Sequence, residues 1–378
     1  MKIAIIHEMF IKLGGAEKVV ERLCNIFPQA DLYTLIYDEK KVGNIFPKEK
    51  IKKIAYTTQK VYELTGNQRF CLPFMAKAIE SLDFSNYDIV IASSSGFAHG
   101  AITKPETKFI VYYHSPARYL WDWTNEYKKD IGANTGIKAF LFNSFFLKIR
   151  QWDYIASQRS DIHLANSRNV QQRIKKYYKK DAFVVYPPIE TERFGKMIEK
   201  EGFQTRFGIE KNSYFIIVSA LTEFKKIDIA IKNFNISEDK LVIVGEGKER
   251  KNLENLKGNN NNIVFLGAKY GEDLVELVQN SNGMIFPGEE DFGIVPIETM
   301  SAGKPVFAYK GGGLLETIQE NISGNFFTKK DGSDFLENFE IFRKNIEDGV
   351  FKEELIQKEA EKYSEVVFEE NIFQFIEK

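Results

Sequence analysis

Short apolar runs recur along the chain, each followed by a polar break and then by residues at helical spacing. In the first half the runs are Lys2–Ile6, Ala30–Leu35, Ile89–Ser93, Phe109–Tyr113, Ile162–Ala165 and Phe183–Val185. In the second half they are Phe215–Ser219, Lys240–Val244, Ile263–Leu266, Gly283–Phe286 and Val306–Tyr309. Runs that are apolar throughout, without in-and-out alternation, predict strands covered on both faces. Helices between them, such as one near Glu17–Phe27, predict parallel order. The series breaks at Tyr186-Pro187-Pro188-Ile189, where paired prolines force extended chain, and a new series starts near Tyr214. At 378 residues the chain is too long for one ordinary core. The expected architecture is α/β, with two doubly wound, Rossmann-like domains of similar size.

Residues 284–306, M-I-F-P-G-E-E-D-F-G-I-V-P-I-E-T-M-S-A-G-K-P-V, carry the most chemistry. A buried strand ends at Pro287-Gly288. The carboxylates Glu289, Glu290 and Asp291 follow, and Phe292-Gly293 opens a helix that carries Glu298. Carboxylates accept hydrogen bonds from sugar and ribose hydroxyls. The amides of Gly293, Ile294 and Val295 begin the helix, where the macrodipole favours phosphate. Pro296 suits the first helical turn, where its missing N–H costs nothing.

Four further strings sit at predicted strand ends. Gly14-Gly15-Ala16-Glu17 is a glycine turn into a helix, and it is not the G-x-G-x-x-G of nicotinamide-binding proteins. His114 follows an apolar strand within H-S-P-A-R-Y-L-W-D. Its Arg118 is placed to meet a phosphate or to pair with Asp122. Val218-Ser219-Ala220-Leu221-Thr222-Glu223-Phe224-Lys225 offers a lysine just past a strand, and Gly245 lies in a Gly-Glu-Gly turn past the next one.

A net charge of −1 gives no global drive toward nucleic acid. Two cysteines exclude a disulfide framework and fit a reducing, cytoplasmic compartment. The four histidines have no zinc-ligand spacing. The first apolar run is too short for a signal peptide or membrane span. Residues 136–152 mix Phe, Leu and Trp with Lys138, Lys148 and Arg150. They are read either as a helix packed inside the first domain or as an interfacial helix on anionic lipid, giving peripheral membrane contact.

The spacing Glu290-x7-Glu298 within E-D-F-G-I-V-P-I-E-x-M-x-A-G-K-P-V resembles the signature of retaining GT-B glycosyltransferases of family 4. The resemblance extends through the other strings and covers nearly the whole chain. It implies a GT-B fold, in which the two domains face a central cleft. The N-terminal domain (1–190) would be the acceptor side and 191–355 the nucleotide-sugar donor domain, with a C-terminal helix (356–378) returning to the first domain.

By the same resemblance, Glu290 and His114 contact the donor sugar and Glu298 the ribose. Gly14, Gly15, Lys225 and Gly293 stabilise the diphosphate. Phe292, Ile294 and Val295 line the donor, and Gly245 shapes the nucleotide pocket. The implied activity is transfer of a sugar with retained configuration to a glycan or lipid-linked acceptor, independent of a metal cofactor. The H-S-P-x-R-Y-x-W-D string is similar to polysaccharide and O-antigen enzymes, which makes GDP-mannose the first donor to try. One departure stands out: Ala220 occupies a position where the family commonly has arginine. The rival functions are a nucleotide-sugar epimerase of the same architecture and a donor-binding subunit without turnover.

Overall fold

The computed structural model describes residues 1–376 except position 199. Two compact units divide the chain between Pro188 and Ile189, and residues from Phe368 onward rejoin the first unit. The helix Glu353–Glu361 therefore belongs to unit 2, and the returning segment begins later than the expected residue 356.

Unit 1 holds seven strands: β1 (Ile3–Phe10), β2 (Asp31–Tyr37), β3 (Ile51–Ile54), β4 (Ile89–Ser94), β5 (Lys108–Tyr113), β6 (Ile162–Ala165) and β7 (Phe183–Val184). They form one sheet in the order β3-β2-β1-β4-β5-β6-β7, and each neighbouring pair is parallel. β3 escaped the apolar-run criterion because its sequence, Ile-Lys-Lys-Ile, is that of a charged edge strand with both lysines exposed. One face of the sheet packs under the helices Tyr56–Thr65, Leu72–Glu80 and Gly136–Ala156, through residues such as Ile79, Phe142 and Phe146. The other face packs under the helix Gly15–Ile26 and the C-terminal Phe368, Ile372 and Ile376.

Unit 2 holds six parallel strands: β8 (Phe215–Val218), β9 (Leu241–Val244), β10 (Ile263–Gly267), β11 (Gly283–Phe286), β12 (Val306–Tyr309) and β13 (Gly324–Phe327), in the order β10-β9-β8-β11-β12-β13. Phenylalanine fills much of its core. The buried Phe307 ring lies 5.1–5.6 Å from those of Phe327, Phe335, Phe339 and Phe342. These contacts range from stacked to edge-to-face, arrangements that suit the aromatic quadrupole.

Strand order reverses direction between β1 and β4 in unit 1, and between β8 and β11 in unit 2. Loops leaving adjacent strands diverge at such a switch point, which opens a crevice at the carboxyl edge. No helix among the described residues is long and apolar enough to cross a membrane. The helix Gly136–Ala156 packs on unit 1 along one face and leaves apolar residues exposed along another. Phe142, Phe146 and Ile149 are buried, while Ile137, Phe140, Leu141 and Leu147 are exposed by 52–79%.

Candidate active site

The switch point of unit 2 gathers most of the residues singled out in the sequence. β8 leads into a short turn, Glu223–Lys225, and β11 leads into the acidic loop 287–292. Their side chains meet, because the Lys225 ammonium pairs with Glu290 Oε1. The acidic loop is shaped from below by the glycine run after β12. The Gly313 amide donates to the Glu290 carbonyl at 2.8 Å. A Cβ on Gly312 would stand 2.1 Å from that same oxygen, so only glycine fits there.

Beyond the acidic loop, Gly293 adopts φ +90° and caps the helix Ile294–Ser301. A left-handed residue lets the chain turn sharply from loop to helix, so the first amides of the helix start beside Glu290. Glu298 lies on this helix and is buried. The ring of Phe292 is also buried, edge-on to Tyr363 at 5.6 Å, so a ligand would meet its backbone rather than its ring. Gly245 follows β9 with its amide donated to Gly267 O at 2.9 Å. Its role is close packing: a Cβ would lie 1.8 Å from Ser219 O. Ala220 is exposed in the loop after β8. Glu289 lies 3.7 Å from Lys330. No group of three or more His, Cys, Asp or Glu among the described residues is arranged to hold a metal ion.

At the switch point of unit 1, Gly14 and Gly15 form the start of the helix Gly15–Ile26 itself rather than a loop ahead of it. His114 is the first residue past β5. Its amide donates to Ser94 O at 2.9 Å, its carbonyl accepts from Asn166 Nδ2 at 2.9 Å, and its Nε2 lies 2.7 Å from Ser93 Oγ. Burial, then the neighbouring His7, push its pKa down to about 4, so the imidazole is neutral at pH 7.

Arg118 pairs locally in this structure. Its Nε lies 3.7 Å from Asp122, and its guanidinium stacks over Trp123 at 3.7 Å. Asp122 also pairs with Arg173 at 3.2 Å, and Arg173 donates to Ser115 Oγ. Trp121 Nε1 donates to the buried Asp153 at 2.8 Å, and Arg150 Nε donates to Leu120 O at 2.7 Å. Much of the H-S-P-A-R-Y-L-W-D string thus fastens the His114 loop to the helices behind it.

Glu8 was not signalled by the sequence reading. Its Oε1 accepts from the amides of Ser95, Gly96, Phe97 and Ala98, and from Ser94 Oγ, at 2.9–3.0 Å. Burial alone would raise its pKa, but His7 and these backbone donors outweigh it and hold the carboxyl below its usual range. A buried carboxylate bound this way fixes the loop after β4. The sequence hint is a polar pair, His7-Glu8, directly after the apolar opening run.

The family model described as "Glycosyltransferase Family 4" matches residues 13–193, and "Glycosyl transferases group 1" matches 199–359. The chain belongs to the GT-B glycosyltransferases. Among its relatives, the alpha-1,3/1,6-mannosyltransferase ALG2 of Saccharomyces cerevisiae is 28% identical over 236 residues, 51% of this chain and 46% of that protein. An uncharacterized glycosyltransferase of Methanocaldococcus jannaschii, MJ1607, is 36% identical over 135 residues, 33% of this chain and 35% of its own. The chain thus spans about half or less of the length of these relatives.

Among solved structures, Anabaena Alr3699/HepE in complex with UDP-glucose superposes with a TM-score of 0.73 at 17% identity, covering all of both chains. The lipopolysaccharide outer core galactosyltransferase WaaB in its apo form gives 0.65 at 17%, covering 100% of this chain and 99% of that one. These likenesses establish the GT-B fold of two Rossmann-like units.

In this GT-B chain, Glu8→Gln is expected to cost unit 1 about 2–3 kcal/mol, because hydrogen bonds to a charge are stronger than neutral ones. The folded-state pKa of Glu8 is depressed. Its contribution is therefore complete above the unfolded value near 4.5 and is lost as pH falls through the folded value. Urea unfolding of the variant should show a lower midpoint at pH 7 and a smaller loss of stability on acidification than wild type.

Proposed function

We propose that the protein transfers a sugar, with retention of anomeric configuration, from a nucleotide-sugar donor to a glycan or lipid-linked acceptor. The observation that carries this reading is the meeting of Lys225 and Glu290 at the switch point of unit 2, beside the helix start at Gly293. A nucleotide sugar needs a cation and backbone amides for its diphosphate, and acceptors for its hydroxyls. Lys225 and the amides of Gly293, Ile294 and Val295 meet the first need. Glu290 meets the sugar and Glu298 the ribose. When no donor is bound, Lys225 and Glu290 neutralise each other, and the donor replaces that pair with one contact to each.

In the reaction, the bond from the anomeric carbon to the diphosphate oxygen breaks and the acceptor oxygen attacks from the same face. The acceptor proton passes to the departing diphosphate. The protein contributes orientation and leaving-group stabilisation. His114, neutral and fixed at the edge of unit 1, offers an imidazole to a sugar hydroxyl, and Gly14 and Gly15 offer helix-start amides to phosphate. GDP-mannose is the preferred donor. The mannosyltransferase relatives support the sugar, while the UDP-glucose complex of the Anabaena structure keeps other bases in the test.

A thermal-shift panel of GDP-, UDP- and ADP-sugars should single out one donor by raising the melting temperature. With that donor, Glu290→Ala should lower transfer by about a hundredfold or more. Undiminished turnover would remove Glu290 from this role. Products formed from donor alone would favour an epimerase, and donor binding without turnover would favour a binding subunit.

The exposed face of the helix Gly136–Ala156 extends the proposal to a membrane surface. Ile137, Phe140, Leu141 and Leu147 would insert, with Lys138 and Lys148 meeting anionic headgroups. The protein is expected to sediment with phosphatidylglycerol vesicles at low salt, and Phe140→Ser with Leu141→Ser should abolish most of that binding. Equal sedimentation of the double variant would refute the contact.

A further inference from the structure

His114 stands at the end of a chain of buried polar groups that crosses three adjacent strands. His7 on β1 is in register with Ser93 on β4, and β4 in turn pairs with β5, which His114 follows. His7 Nδ1 lies 3.2 Å from Ser93 O and 3.1 Å from Ser93 Oγ. Ser93 Oγ lies 2.7 Å from His114 Nε2. At the far end, Glu17 Oε1 lies 3.6 Å from His7 Nε2. His7, Ser93 and Glu17 are all at most 5% exposed, so these groups must satisfy one another rather than water.

Proton placement follows from the partners. A backbone carbonyl only accepts, so His7 Nδ1 carries a hydrogen and shares it between Ser93 O and Oγ. Glu17, an acceptor when ionised, favours a second hydrogen on His7 Nε2. Against the lowering effect of burial, Glu17 and Glu8 raise the His7 pKa, and His7 in turn holds the Glu17 carboxyl below its usual range. Ser93 Oγ, already accepting from His7, gives its single hydrogen to His114 Nε2. That nitrogen is then an acceptor, and the one hydrogen on the neutral ring sits on Nδ1.

We infer that Glu17, His7 and Ser93 are positioning residues that lock His114 as its Nδ1–H tautomer, making it a dedicated hydrogen-bond donor to an oxygen of the sugar substrate. The inference rests on the proposed function for the substrate's identity, while the tautomer itself rests only on the geometry of unit 1. It also gives the Gly14-Gly15-Ala16-Glu17 string a second reason. A Cβ on Gly14 would come within 3.0 Å of Glu17 Oε2, so glycine there leaves room for the carboxylate that anchors the chain. His7 beside His114 further lowers the pKa of the His114 ring, which disfavours a second proton there. The ring thus keeps donor character on Nδ1 throughout the neutral range instead of titrating through it.

The direct test is long-range proton–nitrogen correlation NMR on the whole protein labelled with nitrogen-15 at histidine, with His114 assigned by the loss of its signals in His114→Asn. The expected wild-type pattern at pH 7 is a protonated Nδ1 and a bare Nε2 for His114. In Ser93→Ala the two tautomers of His114 should mix, while Ser93→Thr, which keeps the hydroxyl, should restore the single form. A wild-type His114 protonated on Nε2 would overturn the inference, as would a Ser93→Ala spectrum unchanged from wild type.

The kinetic arm uses the donor found by thermal shift. Ser93→Ala should lower kcat/KM about tenfold, the worth of one misdirected hydrogen bond, and Ser93→Thr should recover most of it. Unchanged kcat/KM in Ser93→Ala would overturn the link to substrate. Absence of transfer in the wild type alongside the expected tautomer would instead count against the proposed function and leave the chain of protons standing.

Discussion

Two-sided burial of parallel sheets is the constraint on which the rest of this structure depends. When helices cover both faces, a strand has no room for polar side chains along most of its length. Polar chemistry is then confined largely to strand ends. Parallel order sends the carboxyl ends to one edge, and the reversal of winding between β1 and β4 and between β8 and β11 opens that edge at one place in each unit. Lys225 and Glu290 follow β8 and β11, while Gly14 and the loop from Ser95 onward follow β1 and β4. The site residues are where the packing allows them to be.

The two edges handle charge differently. In unit 1 carboxylates are buried and held by the fold: Glu8 by four backbone amides and a hydroxyl, and Glu17 by His7. Each such group fixes a loop, because releasing the loop would strand a charge away from water. In unit 2 the charged pair Lys225 and Glu290 is only partly buried. Such a pair is cheap to separate, which suits the exchange for a donor proposed above. Rigid positioning in one unit and a replaceable ion pair in the other follow from depth of burial alone.

Much of this was legible in the sequence. Uninterrupted apolar runs located eleven of the thirteen strands, because burial on both faces leaves a signal that needs no partner information. β3 was missed because its lysines point to solvent at the sheet edge. β13 was missed because Gly-Asn-Phe-Phe is short and starts with glycine and asparagine. The acidic loop, the helix start and Lys225 were legible as residue types at strand ends. Arg118 could be read only as two alternatives, since its partners Asp122 and Trp123 are local but Arg173 comes from a distant helix. The Glu17–His7–Ser93–His114 chain was not legible at all: it depends on which strands lie side by side, and strand order is a property of topology. The consequence of Ala220 for diphosphate binding is likewise set by what surrounds the bound donor, not by the residue.

The central claim is that Lys225 and Glu290, paired in the free protein, divide the donor between them, the lysine taking the diphosphate and the glutamate the sugar. Calorimetric titration of a nucleoside diphosphate and of its sugar conjugate tests it most directly. Lys225→Met should weaken both ligands by a similar factor, about tenfold or more. Glu290→Ala should weaken the sugar conjugate alone and leave the free diphosphate bound at least as tightly, because Lys225 no longer has a competing partner. Equal weakening of both ligands by Glu290→Ala, or no change in either variant, would contradict the account.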